Sequence, residues 1–205
     1  MLILPGLGGD MANFQPRRII GKWSQGYALD YHSVSSVFLG HNQFGHPEYD
    51  TKRSEVGELL YKLKYRSNQA AVGELAEAVE RFIKEWNPGA DIIVPVPPST
   101  QRSVQPVLVL TEAISKRLGI PLANCVKRVR DIPQLKNVYD LDERLKLLDG
   151  LHEVDTSATQ DKKILLFDDL YRSGATMNAI TTALYEQGKA AEVFALTITR
   201  TRSNQ

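Results

Sequence analysis

Cysteine is almost absent: Cys125 stands alone in 205 residues. One cysteine excludes an internal disulfide and a cysteine-built zinc site. By itself it reads as a small packed residue rather than a nucleophile. Long apolar runs are lacking too, and none approaches the roughly 20 residues of a membrane span, so no membrane partner is expected. Met1 to Gly9 is apolar for only a few residues. It has neither the basic start nor the full apolar core of a secretory signal, so a cytoplasmic protein is expected. Charge of one sign is missing: 25 Lys and Arg against 24 Asp and Glu leave a formal net charge of +1. That offers no broad field for nucleic acid or an acidic membrane. His32, His41 and His46 show no tight ligand spacing and no carboxylate cluster, so they read as solvated or hydrogen-bonded side chains. No repeat and no long low-complexity segment is found. What remains is ordinary, 42% hydrophobic and 24% charged, the composition of a soluble globular fold. The length suits one sizeable domain, alone or with an appendage.

The informative stretch runs from Lys163 to Ile180. Ile164 to Phe167 form a continuous apolar run, which suits a strand buried on both faces. Asp168 and Asp169 follow at its C-terminal end. Ser173, Gly174, Ala175 and Thr176 then make a short turn of small and hydroxylated residues. A helical pattern starts at once with Met177, Ile180, Ala183 and Leu184. In open α/β sheets, ligands bind beyond the carboxyl ends of strands, and helix N-termini favour anions. Gly174 allows close backbone approach, while Ser173 and Thr176 can donate hydroxyl hydrogen bonds. The turn therefore suits a phosphate. The two acids suit hydroxyl groups or a hydrated Mg²⁺. A phosphate at one end and a diol nearby describe a ribose 5-phosphate. The same residues also describe a plain strand–turn–helix in which Asp169 caps the helix.

Elsewhere the pattern is coarser. Gly26 to Leu39 carries aromatic and β-branched residues that predict one or two strands. A helical stripe of Val56, Leu59, Leu60 and Leu63 follows, with Ser54 as its cap. A second stripe runs from Val72 to Trp86 and stops by Asn87-Pro88-Gly89. Lys62, Lys64 and Arg66 form either the solvated face of the first helix or a basic mouth for a polyanion. Ile92 to Val94 predict a buried strand that the following prolines end. Pro97, Pro98, Ser99, Thr100 and Gln101 make a constrained loop ending in Arg102. Pro106 opens a helix that Gly119 closes. This is a second strand–loop–helix unit, whose loop belongs at the same sheet edge as Asp168; a surface turn with a solvated arginine is the other reading. The charged segment of about 128–151, with Arg128, Arg130, Gln134, Lys136 and Arg144, reads as a lid or as a hairpin or helix without a catalytic role. The expected architecture is α/β: a mostly parallel twisted sheet flanked by helices. The core spans 90–205, and an N-terminal region, 1–89, supplies a small β element and two helices.

The Asp168 stretch resembles the phosphoribosyl pyrophosphate (PRPP) loop of type I phosphoribosyltransferases: four apolar residues, Asp-Asp, two variable residues, Thr-Thr or Thr-Ser, Gly, any residue, Thr or Ser. The match falls on Ile164 to Asp169, Ser173, Gly174 and Thr176. Arg172 stands where the family usually has Thr. The whole order is similar to the ComF-like, late-competence branch of that superfamily. This rests on Gly26 to Asp30, Val56 to Tyr65, Val94 to Pro97, and Pro133-Gln134 with Arg144 and Gly150. Three features depart from the branch: there is no four-cysteine zinc ribbon, Ser103-Val104-Gln105-Pro106 replaces Gly-Phe-Asn-Gln, and Leu147-Leu148 replaces Asn-Leu.

The resemblance implies the type I phosphoribosyltransferase fold, with an N-terminal hood. It implies PRPP or a ribose 5-phosphate-containing nucleotide as ligand, and Mg²⁺ as cofactor. Asp168 and Asp169 would be the catalytic acids, holding the ribose hydroxyls directly or through Mg²⁺. Tyr171, Arg172, Ser173, Gly174, Ala175 and Thr176 would bind the 5-phosphate. Pro97, Pro98, Ser99 and Arg102 would bind pyrophosphate, and Arg130, Gln134, Lys136 and Arg144 would belong to the lid. The implied reaction moves the phosphoribosyl group to a nitrogenous base and releases pyrophosphate. The resemblance equally allows a catalytically reduced PRPP- or nucleotide-binding module, or a partner in DNA uptake. Nucleic acid enters only by that family analogy. Type I relatives are commonly dimers, so a homodimer is compatible with it.

Overall fold

The structure, a computed structural model, describes residues 12–66, 68–99, 105–133, 138 and 140–202, without the side chains of residues 141, 142 and 145. In chain order the elements are β1 (Arg17–Arg18), β2 (Gln25–Tyr31), β3 (Ser33–His41), β4 (Pro47–Arg53), α1 (Glu55–Arg66), α2 (Ala70–Trp86), β5 (Ile92–Pro95), α3 (Pro106–Leu118), β6 (Val126–Arg128), α4 (Leu141–Leu148), β7 (His152–Val154), α5 (Thr156–Thr159), β8 (Lys163–Tyr171), α6 (Ala175–Glu186) and β9 (Glu192–Arg200). Five strands form one sheet in the order β1-β2-β9-β8-β5. β2, β9, β8 and β5 run parallel, and β1 pairs antiparallel at the edge. The α/β class with a mostly parallel sheet is thus observed.

Burial on both faces explains the apolar strands. Along β8, Leu165 and Phe167 join the core under α1, α2 and α3, where they meet Leu60, Val79 and Leu110. Ile164 and Leu166 point to the other face, against Met177, Ile180 and Leu184 of α6. β9 alternates in the same way, with Phe194, Leu196 and Ile198 on the first face and Val193 and Ala195 on the second. The strand period of two sends each alternate side chain into a different core.

The helix punctuation follows the sequence. Ser54 Oγ accepts from the Gly57 amide and donates to the Tyr31 carbonyl, capping α1. α2 ends on Asn87 in the left-handed conformation, with φ 48°. Pro106 opens α3 and Gly119, at φ 68°, closes it.

Two parts differ from the expected outline. Hydrogen bonding crosses the line drawn near residue 89. β2 pairs with β9 from Gln25↔Phe194 to Tyr31↔Arg200, so residues 17–31 extend the central sheet rather than pack on it. The reason is Ala28 and Leu29, both fully buried between the two helix layers. The separate β element is the β3–β4 ribbon, whose Val37, Phe38, Leu39, Phe44 and Tyr49 are exposed. Also, β8 continues past Phe167 to Tyr171, with Asp168↔Thr197 and Tyr171↔Arg200 in register on β9. Both acids therefore lie within the strand.

In the 128–151 segment, β6 and β7 pair at the base and α4 packs on α6 through Leu148, Leu151 and Ala175. His152 of β7 is buried at 4% exposure. Burial, with Arg128 and Arg130 nearby, pushes its pKa down to about 4. The folded protein keeps this imidazole neutral, while the unfolded chain protonates it at an ordinary histidine pKa. The folded state binds fewer protons between those values, so stability falls as pH drops from about 6.5 toward 4. The effect is on the order of 2–3 kcal/mol at pH 4.5. Denaturant melts at pH 7 and 4.5 should show a smaller acid loss in His152→Gln than in the wild type.

Candidate functional site

The site lies where β5 and β8 reach the carboxyl edge of the sheet. Val96 donates its amide to the Phe167 carbonyl, which lays the 96–99 loop beside Asp168. β8 then turns at 172–174 into α6. Gly174 makes this turn possible: its φ is +75°, and an added Cβ would lie 2.7 Å from the Tyr171 ring and hydroxyl. Neither the angle nor the space admits a side chain easily. Tyr171 is held in turn by its hydroxyl, which donates to the Ile20 carbonyl at 3.2 Å, and by an edge contact with Trp23. The first intrahelical bond of α6 runs from the Asn178 amide to the Gly174 carbonyl, and the amides before it have no partner within the helix.

Two hollows meet here. One, of about 300 Å³, is lined by Ser99, Arg144, Asp168 and all residues from Leu170 to Met177. The other, of about 230 Å³, is lined by Lys64, Val96, Pro97, Pro98, Ser99, Gln105, Pro106, Val107, Asp168, Asp169, Leu170 and Thr176. They share Ser99, Asp168, Leu170 and Thr176. The first turns of α3 and α6 both border the joined space, so two helix N-termini face one cavity. That is a favourable setting for an anion at each end.

Because both acids are within the strand, their side chains leave it on opposite faces. Asp168 has the parity of Ile164 and Leu166, toward α6. Asp169 has the parity of Leu165 and Phe167, toward α1. There Lys64 Nζ lies 2.8 Å from Asp169 Oδ1. Burial, and then the neighbouring Asp169 charge, push the Asp168 carboxyl well above the ordinary carboxylate range. A cation or a set of hydroxyl donors would relieve that cost. Among the described residues, no group of three or more His, Cys, Asp or Glu gathers that could hold a metal. Asp168, whose buried carboxyl lines both hollows, fits Mg²⁺ in the open manner, in which waters and substrate oxygens complete the shell.

The described members of the expected set mostly converge. Pro97, Pro98, Ser99, Asp168, Asp169, Tyr171 to Thr176 and Arg144 line the joined cavity. Arg130 does not line it: its guanidinium donates to the carbonyls of Leu147, Asp149 and Gly150 at the end of α4. Arg102, Gln134 and Lys136 lie outside the described residues. Lys64 was legible only as one of a basic trio. Its sharper signal is position, four residues after the buried Leu60 on the same helical face. The sequence predicts a solvated or hydrogen-bonded His32. It is half-buried, with Nδ1 3.3 Å from Thr199 Oγ1. Burial, and then the Lys64 and Arg53 charges, lower its pKa.

The fold and this edge define an α/β protein with a cavity at the carboxyl ends of its central strands, and they fit the resemblance to ComF-like, phosphoribosyltransferase-like proteins. Among curated proteins, the chain is similar to competence protein ComFC of Bacillus subtilis (strain 168), with 26% identity over 151 residues. The match covers 73% of this chain and 62% of that relative, so the chain spans less than two thirds of its length. No protein-family model matches. Among solved structures, the chain is similar to adenine phosphoribosyl transferase from Trypanosoma brucei in complex with AMP, pyrophosphate and ribose-5-phosphate. That likeness has a TM-score of 0.48 and 12% identity, covering 89% of this chain and 73% of that one. It is also similar to orotate phosphoribosyltransferase from Francisella tularensis, with a TM-score of 0.42 and 15% identity, covering 81% and 78%.

Proposed function

We propose that this protein binds phosphoribosyl pyrophosphate at the joined cavity and transfers its phosphoribosyl group to a nitrogenous base. The observation that carries this reading is the left-handed Gly174 turn, which opens α6 directly beyond the acid pair. The 5-phosphate sits on the amides and hydroxyls of residues 171–176, with Arg172 adding charge. The diphosphate lies toward Pro97, Pro98, Ser99 and the start of α3, with Arg102 as a further cation. Asp168 and Asp169 accept hydrogen bonds from the ribose hydroxyls. Magnesium, when bound, neutralises part of the diphosphate charge.

The acceptor nitrogen forms a bond to C1 of the ribose as the C1–oxygen bond to pyrophosphate breaks. The electron pair of that bond leaves with pyrophosphate. Positive charge grows on the ribose ring, and the nearby carboxylates stabilise it. Asp169 takes up the proton released by the acceptor. Arg144, with Gln134 and Lys136, belongs to the segment that closes over the site and excludes water. The β3–β4 ribbon and its neighbours form a hood on the acceptor side. The protein acts in the cytoplasm, and a homodimer is compatible with this reading.

A second reading keeps ligand binding without transfer, either as a sensor of PRPP or nucleotides or as a partner in DNA uptake. Arg172, in place of the family's Thr, favours it. Calorimetric titration with PRPP, with and without Mg²⁺, tests the shared part: magnesium-dependent binding is expected, and its absence removes both binding readings. Pyrophosphate release with a panel of bases separates transfer from sensing, because a sensor binds without turnover. Salt-dependent DNA affinity would favour the uptake role.

A further inference from the structure

Lys64 holds Asp169 at 2.8 Å, with the two side chains only 13% and 15% exposed. The pair engages Asp169 Oδ1, so a ligand that takes this oxygen breaks a partly buried ion pair and leaves an ammonium without its partner. Lys64 also lines the 230 Å³ hollow together with Pro97, Pro98 and Ser99. Its flexible four-carbon stem lets the ammonium reorient within that hollow.

We propose that Lys64 is an exchangeable counter-ion that makes the site selective for a ribose carrying a 1-diphosphate. This rests on the assignment of PRPP binding given above. In the empty site Lys64 neutralises Asp169. When PRPP binds, Asp169 passes to the ribose hydroxyls and the Lys64 ammonium passes to the diphosphate oxygens, so neither charge is stranded. Ribose 5-phosphate offers no diphosphate to receive the ammonium. It must displace Lys64 without compensation and therefore binds weakly.

Calorimetry in Mg²⁺ with two probes, PRPP and ribose 5-phosphate, tests the exchange on the wild type, Lys64→Met and Lys64→Gln. Loss of one charge-assisted contact corresponds to roughly tenfold or more in affinity. PRPP affinity is expected to fall by at least that factor, while ribose 5-phosphate affinity stays level or rises. The two shifts have opposite sign, which a merely structural lysine would not produce. Melting curves accompany each variant, and either folded variant suffices for the ratio. Equal weakening of both probes, or an unchanged preference for PRPP, overturns the role of Lys64 alone. A wild type that does not bind PRPP overturns the binding assignment and this inference with it.

Discussion

Replacing Asp168 and Asp169 together by Asn is expected to abolish magnesium-dependent PRPP binding while leaving a cooperatively folded protein. Asn keeps the shape of the side chain and one carbonyl oxygen but removes the charge that ribose hydroxyls and a hydrated cation recognise. Each hydrogen bond to a charged group contributes about 1.5–3 kcal/mol. Loss of two corresponds to roughly a 100-fold to 10,000-fold fall in affinity. The fold should survive because two effects oppose each other. Asp168 is held in a place that disfavours its charged form, so Asn relieves that cost. Lys64 loses the partner it holds at 2.8 Å, which adds one. Titration calorimetry reads the affinity, and a thermal melt reads the fold. Undiminished binding in the double variant would remove both acids from the site.

The second large effect is expected at Gly174. Gly174→Ala places a Cβ where φ is +75° and the Tyr171 ring stands 2.7 Å away. The left-handed conformation costs about 1–2 kcal/mol for a residue with a Cβ. Forcing an atom into a packed place adds about 1–3 kcal/mol. For a chain of this length, that total lowers the melting temperature by roughly 4–20 °C. The ring cannot retreat easily, because its hydroxyl bonds the Ile20 carbonyl and its edge meets Trp23. The turn must open instead, and phosphate-dependent binding of ribose 5-phosphate should fall with it. Gly174→Ala combined with Tyr171→Leu should cost less than the sum of the two single changes, since the ring clash disappears and only the backbone strain remains. Additive losses would show that ring and glycine do not constrain each other.

How legible these features were depends on what wrote them into the chain. β8 and α6 were readable because an apolar run buried on both faces, an acid pair and a glycine turn come in strict order, each required by local geometry. α1 to α3 were readable from their stripes and stops, since Ser54, Asn87 and Gly119 do their work within a few residues. β4 was not. Its sequence, Pro-Glu-Tyr-Asp-Thr-Lys-Arg, is exposed or half-buried throughout, so no face imprints an alternation. The placement of β2 beside β9 was not legible either, because parallel pairing between distant segments leaves no local mark. The extension of β8 through Asp168 and Asp169 was masked by their charge, although the ladder to Thr197 and Arg200 keeps them extended. Lys64 shows the same limit: only the meeting of α1 with the end of β8 tells which of three basic residues faces inward.

The place of β9 in the sheet has a consequence for how the chain is made. It is the last described strand in sequence, yet it lies between β2 and β8. A chain emerging from the ribosome holds β2 long before the strand that joins it to β8 exists. β2 must wait with an open edge on the side that later pairs with β9. Closing so distant a pair as β2 and β9 costs chain entropy before the contacts repay it. The waiting state is the aggregation-prone one. Shortening the chain through β9 would not trim one edge of the sheet but split it in two, so slow folding and chaperone dependence are expected of the nascent protein.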